Sequence, residues 1–563
     1  MNEAYEEHME DLKVDSVEIA DNKKMYVKSI IQDNEHGKCL IELCIYNYID
    51  KKFYTEVVER ERITPFEIYN LVIKNGGVII NSKNTCIDIL NSINRMLVSG
   101  KYTLKRNISR LGWYISNDKI GFDAYESISE DNTNSIYNGV FDLKPSGSLE
   151  EIKVMSDKCI TGHTPMEAIM SIGCLATLLS YSNTVWNTSY NNPIFHLAGN
   201  STTGKSTAAK LIASFACNPN SNNSLYLSFM STKNSLVKRI GNNNGLPCAI
   251  DEFSTATSKK EWTDFIYTLA NGVEKDRCSV GGSGLQEAVK FCTVFVTNGE
   301  MSLLKKCNQN TGIRARLFEL PDTDWTRNAE EADYIKSTID SNYAILTPII
   351  AKEILLNSEY WKKRIDFWMK KTTEKVKQEN IFITISSRIV NYVALLAVSC
   401  EIISKVLNRQ FNVEKVFMFF FTYMLLKNAD ECNIGKRAYE IICKYISDHR
   451  SEFTDATYTG DDLHYTEEGK KGFFKTTNRK RKIDNKEYDT YYIFAQETME
   501  EILEKRCFTD TRIVMKELRE AGYLKTKDSN RLYVMPRLEG ILVKMYAIFV
   551  NVDDAWKDSN ELD

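Results

Sequence analysis

The sequence lacks the markers of several protein classes. Its 14 cysteines contain no CxxC pair and its six histidines do not cluster with them. That spacing excludes the usual zinc modules and disulfide frameworks and fits a reducing cytoplasm. Charge of one sign is also missing: 72 Lys and Arg against 76 Asp and Glu leave a net charge of -4. A nucleic acid would therefore have to be met by local basic patches, not by a generally cationic surface. The N-terminal MNEAYEEHMEDLK is acidic and has neither the basic start nor the apolar run of a secretory signal. The most apolar stretches, 391–407 and 416–426, fall short of the roughly 20 residues that span a bilayer and are expected to be buried core helices, with no membrane partner. No internal repeat of fixed period is present.

What is present is an ordinary globular composition, 43% hydrophobic and 26% charged. The 563 residues suffice for about three or four domains. Alternating apolar and polar residues between helical stretches predict an N-terminal α+β domain over 1–150, closed by a polar loop over 127–148. From 160 to 330 strands and helices alternate, as in a parallel sheet with crossover helices. Helical periodicity over 331–450 predicts an α-helical lid, including an all-round apolar helix over 385–406. A basic linker over 451–487 and a small winged-helix-like domain over 488–563 complete the expected order.

The chemistry concentrates in IFHLAGNSTTGKSTAAKLIASFA, where a short apolar strand runs through GNSTTGKS into a helix. Gly199 and Gly204 let the backbone curl so that the N–H groups of Asn200, Ser201, Thr202, Thr203 and Thr207 face phosphates, on a helix N-terminus carrying about half a positive charge. Lys205 would reach the β- and γ-phosphates of ATP, and the Ser206 hydroxyl would coordinate Mg²⁺. The run LPCAIDE ends in Asp251, expected on Mg²⁺, and Glu252, expected to polarise the attacking water. SLYLSF between these motifs predicts an additional strand, and FCTVFVTNGE predicts a strand ending in Asn298, a polar sensor of the phosphate. Downstream, Arg316, with Arg314 as alternate, is expected to act as an arginine finger in a neighbouring subunit's site, and Arg388 as a second sensor of the γ-phosphate.

Several separated motifs resemble the domain of unknown function 927 family, related to minichromosome-maintenance-like AAA+ helicases of bacterial mobile elements. They are LGWYISNDKIGFD at 111–123, the phosphate loop with Asp251 and Glu252, NGVEKDR at 271–277 and the strand ending TNGE. The resemblance, which covers roughly 24–321, implies a homo-oligomeric ring, a hexamer in such families, that couples ATP hydrolysis to movement along DNA. Ser206 stands where many relatives carry threonine, an exchange of one hydroxyl for another.

Three segments are candidate DNA contacts. EKDRCSVGGSGLQEAVKF reads as a hairpin inserted before the sensor strand, and in helicases of this type such a hairpin points into the ring's pore, offering Lys275, Arg277 and Lys290. KKGFFKTTNRKRK offers Lys470, Lys471, Arg479, Lys480 and Arg481, interleaved with Phe473 and Phe474. The C-terminal helix capped by Thr509 or Asp510, with Lys516, Arg519, Lys525, Lys527 and Arg531, would meet DNA or a protein. A ring-forming DNA helicase is the leading expectation; a non-translocating switch ATPase and a scaffold with a structural ATP site are the alternatives.

Overall fold

The computed structural model describes residues 25–551, apart from short stretches such as 252–258, 279–284 and 429–433. Glu252, Lys275, Thr509 and Lys527 lie outside the described residues. The N-terminal unit is an α+β layer. Strands Met25–Asp33, Lys38–Asn47 and Lys52–Glu59 form an antiparallel meander, and helices Pro65–Lys74 and Ser82–Ser99 share its separate small core. Thr64 starts the first helix by accepting from the Glu67 amide, and Pro65 follows at the first helical position, where its missing N–H costs nothing.

The expected boundary at 150 is not where the cores divide. The hairpin Leu111–Ser116 and Lys119–Asp123 buries Trp113 and Phe122 in the large central core, against Tyr181. Trp113 also donates its indole N–H to the Thr177 carbonyl at 2.8 Å. The polar stretch 127–148 is not wholly loop either: Ser127–Ser129 adds a strand to this hairpin, and Ser135–Tyr137 joins the edge of the N-terminal sheet.

The central sheet has five parallel strands, numbered here β1 (Ile194–Ala198), β2 (Tyr226–Ser228), β3 (Cys248–Asp251), β4 (Phe295–Gly299) and β5 (Leu317–Leu320). Their spatial order is β2-β3-β4-β1-β5. Strands β1, β3, β4 and β5 are buried along most of their length, which is why each reads as a largely apolar run, whereas Ser228 of β2 is exposed. The additional strand expected between the motifs is β2, at the edge. The sensor strand β4 sits between the strand of the phosphate loop and the strand of Asp251, so three motifs distant in sequence end side by side.

Helix α1 (Thr164–Val185) is buried along nearly its whole length, and α2 (Lys205–Ser214) leaves the phosphate loop. The helices from Ala329 to Phe420 share one core with the sheet, and α3 (Ser386–Leu407) packs along α1. The expected lid is thus fused to the sheet. Its last expected helix, Ile434–Asp448, belongs instead to the C-terminal core. The run 391–407 is also longer in the fold than in the sequence. Both α1 and α3 are long and apolar enough to cross a membrane, but 83% and 72% of their apolar windows are buried inside the protein.

The C-terminal unit overturns the expected linker. Gly472–Ile483 and Lys486–Ala495 form a long hairpin within a four-stranded sheet completed by Phe453–Asp455 and Met545–Phe549. Helices Gln496–Lys505 and Thr511–Glu520 pack beside it. Asp510 is the cap of the second helix, accepting from the Arg512 and Ile513 amides at 2.9 and 3.2 Å, and Gly522 follows its end with φ +90°. Helix, hairpin, two helices and a closing strand complete this unit, and the wing expected about 528–530 lies outside the described residues.

Candidate active site

The loop 199–206 leaves the C-terminal end of β1 and enters α2. Three of its residues hold positive φ: Gly199 at +138°, Thr202 at +73° and Gly204 at +85°. Such a backbone turns successive N–H groups toward one point. The loop is braced from behind by the segment after β5. Trp325 donates its backbone N–H to the Thr203 carbonyl at 2.8 Å, and a Cβ on Gly204 would lie 2.6 Å from the Thr326 hydroxyl. Only glycine fits that position.

Lys205 is 8% exposed and folds back over the loop. It donates to the Gly199 carbonyl at 2.9 Å, to the Asn200 carbonyl, and to the Thr203 hydroxyl at 3.5 Å. Burial lowers its pKa, opposed by the Glu300 carboxylate. An ammonium already drawn over the phosphate cradle by carbonyl oxygens would exchange them for anionic ones. Thr207 lies on the buried face of α2.

Asn298, at 4% exposure, joins the motifs. Its amide donates to the Ser206 hydroxyl at 3.0 Å and to Asp251 Oδ1 at 2.8 Å. Two hard oxygen donors therefore meet at one amide nitrogen, the kind of oxygen that Mg²⁺ takes directly or through its own waters. Among the described residues no cluster of three or more His, Cys, Asp or Glu could hold a metal. One hydroxyl and one carboxylate suit Mg²⁺ arriving on phosphate oxygens, not an all-protein cage. Across the mouth of the loop, Ser201 donates its hydroxyl to Glu300. Glu300 ends the motif TNGE but carries no expected role there, and the brace at Trp325 and Thr326 belongs to no motif.

Arg316 lies at the other end of the sheet. Its carbonyl accepts from the Ile194 amide at the start of β1, so about 16 Å of strand, five residues at about 3.3 Å, separates it from Gly199. Its guanidinium donates to the Gly312 carbonyl at 2.8 Å, stands 5.0 Å from the Tyr267 ring centre and leaves a buried Nε–H without a hydrogen bond. Arg314 is 5% exposed, so Arg316 is the more exposed of the two expected finger residues. Arg388 is exposed on the first turn of α3. Its charge and that of Arg316 both act on Tyr392, whose pKa burial raises and these two cations lower. Tyr392 donates to the Asn191 carbonyl, just before β1. Arg388 is therefore near Tyr392, on the side of the sheet where Arg316 lies.

The inserted hairpin is present: Arg277 pairs with Gln286 and Cys278 with Leu285, above a bridge between Val273 and Lys290. Lys290 is exposed but sits at the root, not at the tip. The basic run divides. Lys470 donates to the Ser451 carbonyl, Lys471 pairs with Glu452 at 2.9 Å, and Phe473 is core, so this half is structural. Arg479 and Lys480 are exposed within the irregular stretch between Thr476 and Arg481, and Arg481 is exposed where pairing resumes, with Lys480 near Glu487 and Arg481 over the Phe549 ring. On the last helix Lys516 is exposed and Arg519 half-buried, Lys525 lies 3.5 Å from the Tyr491 ring centre, and Arg531 is exposed.

Comparison with known proteins gives three findings. Residues 5–288 match the family described as a domain of unknown function (DUF927). Residues 433–554 match the Cch helix turn helix domain. A solved structure titled SCCmec type IV Cch, active helicase, superposes with a TM-score of 0.74 at 20% identity, covering 94% of each chain. No curated protein matches. The two chains share a fold over that length.

Proposed function

The chain belongs to the DUF927 family, and on that premise we propose that it is an ATP-dependent DNA helicase of a mobile genetic element, with an AAA+ core that works as a homo-oligomeric ring. The observation that carries the proposal is the contact of Asn298 with both Ser206 and Asp251, at the mouth of a phosphate loop in a β2-β3-β4-β1-β5 sheet. A loop that only bound a phosphate would not need a buried amide spanning the hydroxyl and the carboxylate.

In the proposed reaction the loop amides and Lys205 hold the β- and γ-phosphates of ATP. Mg²⁺ on Ser206 and Asp251 would neutralise charge that builds on the phosphates. Asn298 orients the γ-phosphate, and Glu252, next in chain to Asp251, takes a proton from the attacking water. Arg316 stands too far from this loop to serve it, so it acts on the nucleotide of the neighbouring subunit, with Arg388 beside it, which makes assembly a condition of turnover. The inserted hairpin, with Lys275, Arg277 and Lys290, and the exposed Arg479, Lys480 and Arg481 contact DNA phosphates. The structural relative titled an active helicase supports this reading at the level of fold.

The test is strand displacement from forked duplexes of both polarities, with ATP and Mg²⁺, against a Lys205→Ala control. Displacement that needs ATP and vanishes in the control is expected. Hydrolysis without displacement on any fork would instead favour a switch ATPase.

A further inference from the structure

Strand β1 is apolar except at its centre, where His196 lies fully buried among Ile194, Phe195, Leu197 and Ala198. A buried imidazole is costly unless its nitrogens are paired. Here both are: Nε2 lies 2.9 Å from the Met301 carbonyl and Nδ1 2.8 Å from the Thr297 hydroxyl. A carbonyl can only accept, so Nε2 carries the proton and the Thr297 hydroxyl donates to Nδ1. Burial brings the ring's pKa down to about 4, the Met301 bond opposes this, and Lys306 and Lys205 add to it, so the imidazole is neutral near pH 7.

The two bonded residues bracket the turn that faces the nucleotide. Thr297 precedes Asn298, which holds Ser206 and Asp251, and Met301 follows Glu300, which accepts from Ser201. Between them, a Cβ on Gly299 would lie 3.2 Å from His196 Cε1, so the turn rests on the edge of the ring. The strand that carries the phosphate loop thereby grips the turn that carries the sensor.

We propose that His196 is a positioning residue for ATP hydrolysis, clamping the turn 298–301 through its Nε2–H so that Asn298 and Glu300 stay in register with the phosphate loop. The proposal rests on the ATPase reading above. It assigns His196 no proton transfer, because both nitrogens are occupied by the fold.

The test compares two substitutions in the full chain. Gln places its amide nitrogen near the position of Nε2 and can still donate to Met301, whereas Asn reaches only as far as Nδ1. His196→Asn is expected to lower kcat about tenfold with KM for ATP changed less than about twofold, and His196→Gln to recover at least about a third of the wild-type kcat. Melting temperatures of both variants accompany the kinetics, and rescue by Gln is the readout that simple loss of packing would not give. Equal losses in the two variants, or a raised KM with unchanged kcat, overturn the clamp. An absence of ATP turnover in the wild-type chain would sink the ATPase reading itself and the clamp with it.

Discussion

At the residue scale, the decisive contacts join positions far apart in the chain. Asn298 meets Ser206 92 residues away and Asp251 47 away. Its loss removes an oriented donor from the phosphate site, so Asn298→Ala is expected to lower kcat by about 10²-fold while ATP binding changes little. Single-turnover hydrolysis beside nucleotide titration would check this; weakened binding with normal turnover would make Asn298 a part of the binding cradle only. His196 gives a pH signature. Its pKa is about 4 when folded against 6.5 ordinarily. Between those values the unfolded chain takes up a proton that the folded chain refuses, so stability is full above pH 6.5 and falls as pH drops toward 4. At about 1.4 kcal/mol per unit, the loss is on the order of 3 kcal/mol. Urea unfolding from about pH 4 to pH 7 should show this slope in the wild type, and it should be shallower in His196→Gln; equal slopes would place the titration elsewhere. The phosphate loop was legible because its geometry is local: glycines, a lysine and a hydroxyl in eight consecutive residues. His196 was not, since one polar residue in an apolar strand does not name a partner 105 residues away.

At the scale of elements, the sequence order of strands and helices was readable, and their allegiances were not. LGWYISNDKIGFD stood out as a motif without apparent chemistry, and the fold supplies its reason. Strand Leu111–Ser116 lies against the bridge at Asn243–Asn244, and Gly112, with φ +88°, is so close that a Cβ would stand 1.7 Å from the Asn244 carbonyl. That contact docks the hairpin on the nucleotide domain. Gly112→Ala combines a backbone clash with an unfavourable φ, so a loss of about 3 kcal/mol is expected. Chemical denaturation would measure it, and a change below about 0.5 kcal/mol would mean that the strand detaches without consequence. The basic hairpin escaped notice for the opposite reason. From Thr476 to Lys482 nearly every side chain is exposed, so no alternation of apolar and polar residues betrays the strand, and its charges alone suggest a solvated linker. Burial resumes at Ile483, where the hairpin returns to the C-terminal core.

At the scale of the whole molecule, what matters is which groups one chain cannot bring to its own phosphate loop. Arg316 stands at the end of the sheet where β1 begins, with Arg388 near Tyr392 beside it, and the phosphate loop leaves the end where β1 finishes. If each arginine serves a neighbour, a subunit lacking the phosphate-binding lysine can still lend its finger. Arg316→Ala and Lys205→Ala chains should each be inactive alone. Mixed in equal amounts and allowed to exchange subunits, they should regain up to about a quarter of wild-type ATPase activity, because that share of random interfaces pairs an intact loop with an intact finger. The mixture must be shown to assemble by light scattering or native mass measurement. Assembled mixtures that stay at the activity of the separate variants would place the arginine's action within its own subunit or remove it from catalysis, and with it the reason for hydrolysis to require a ring.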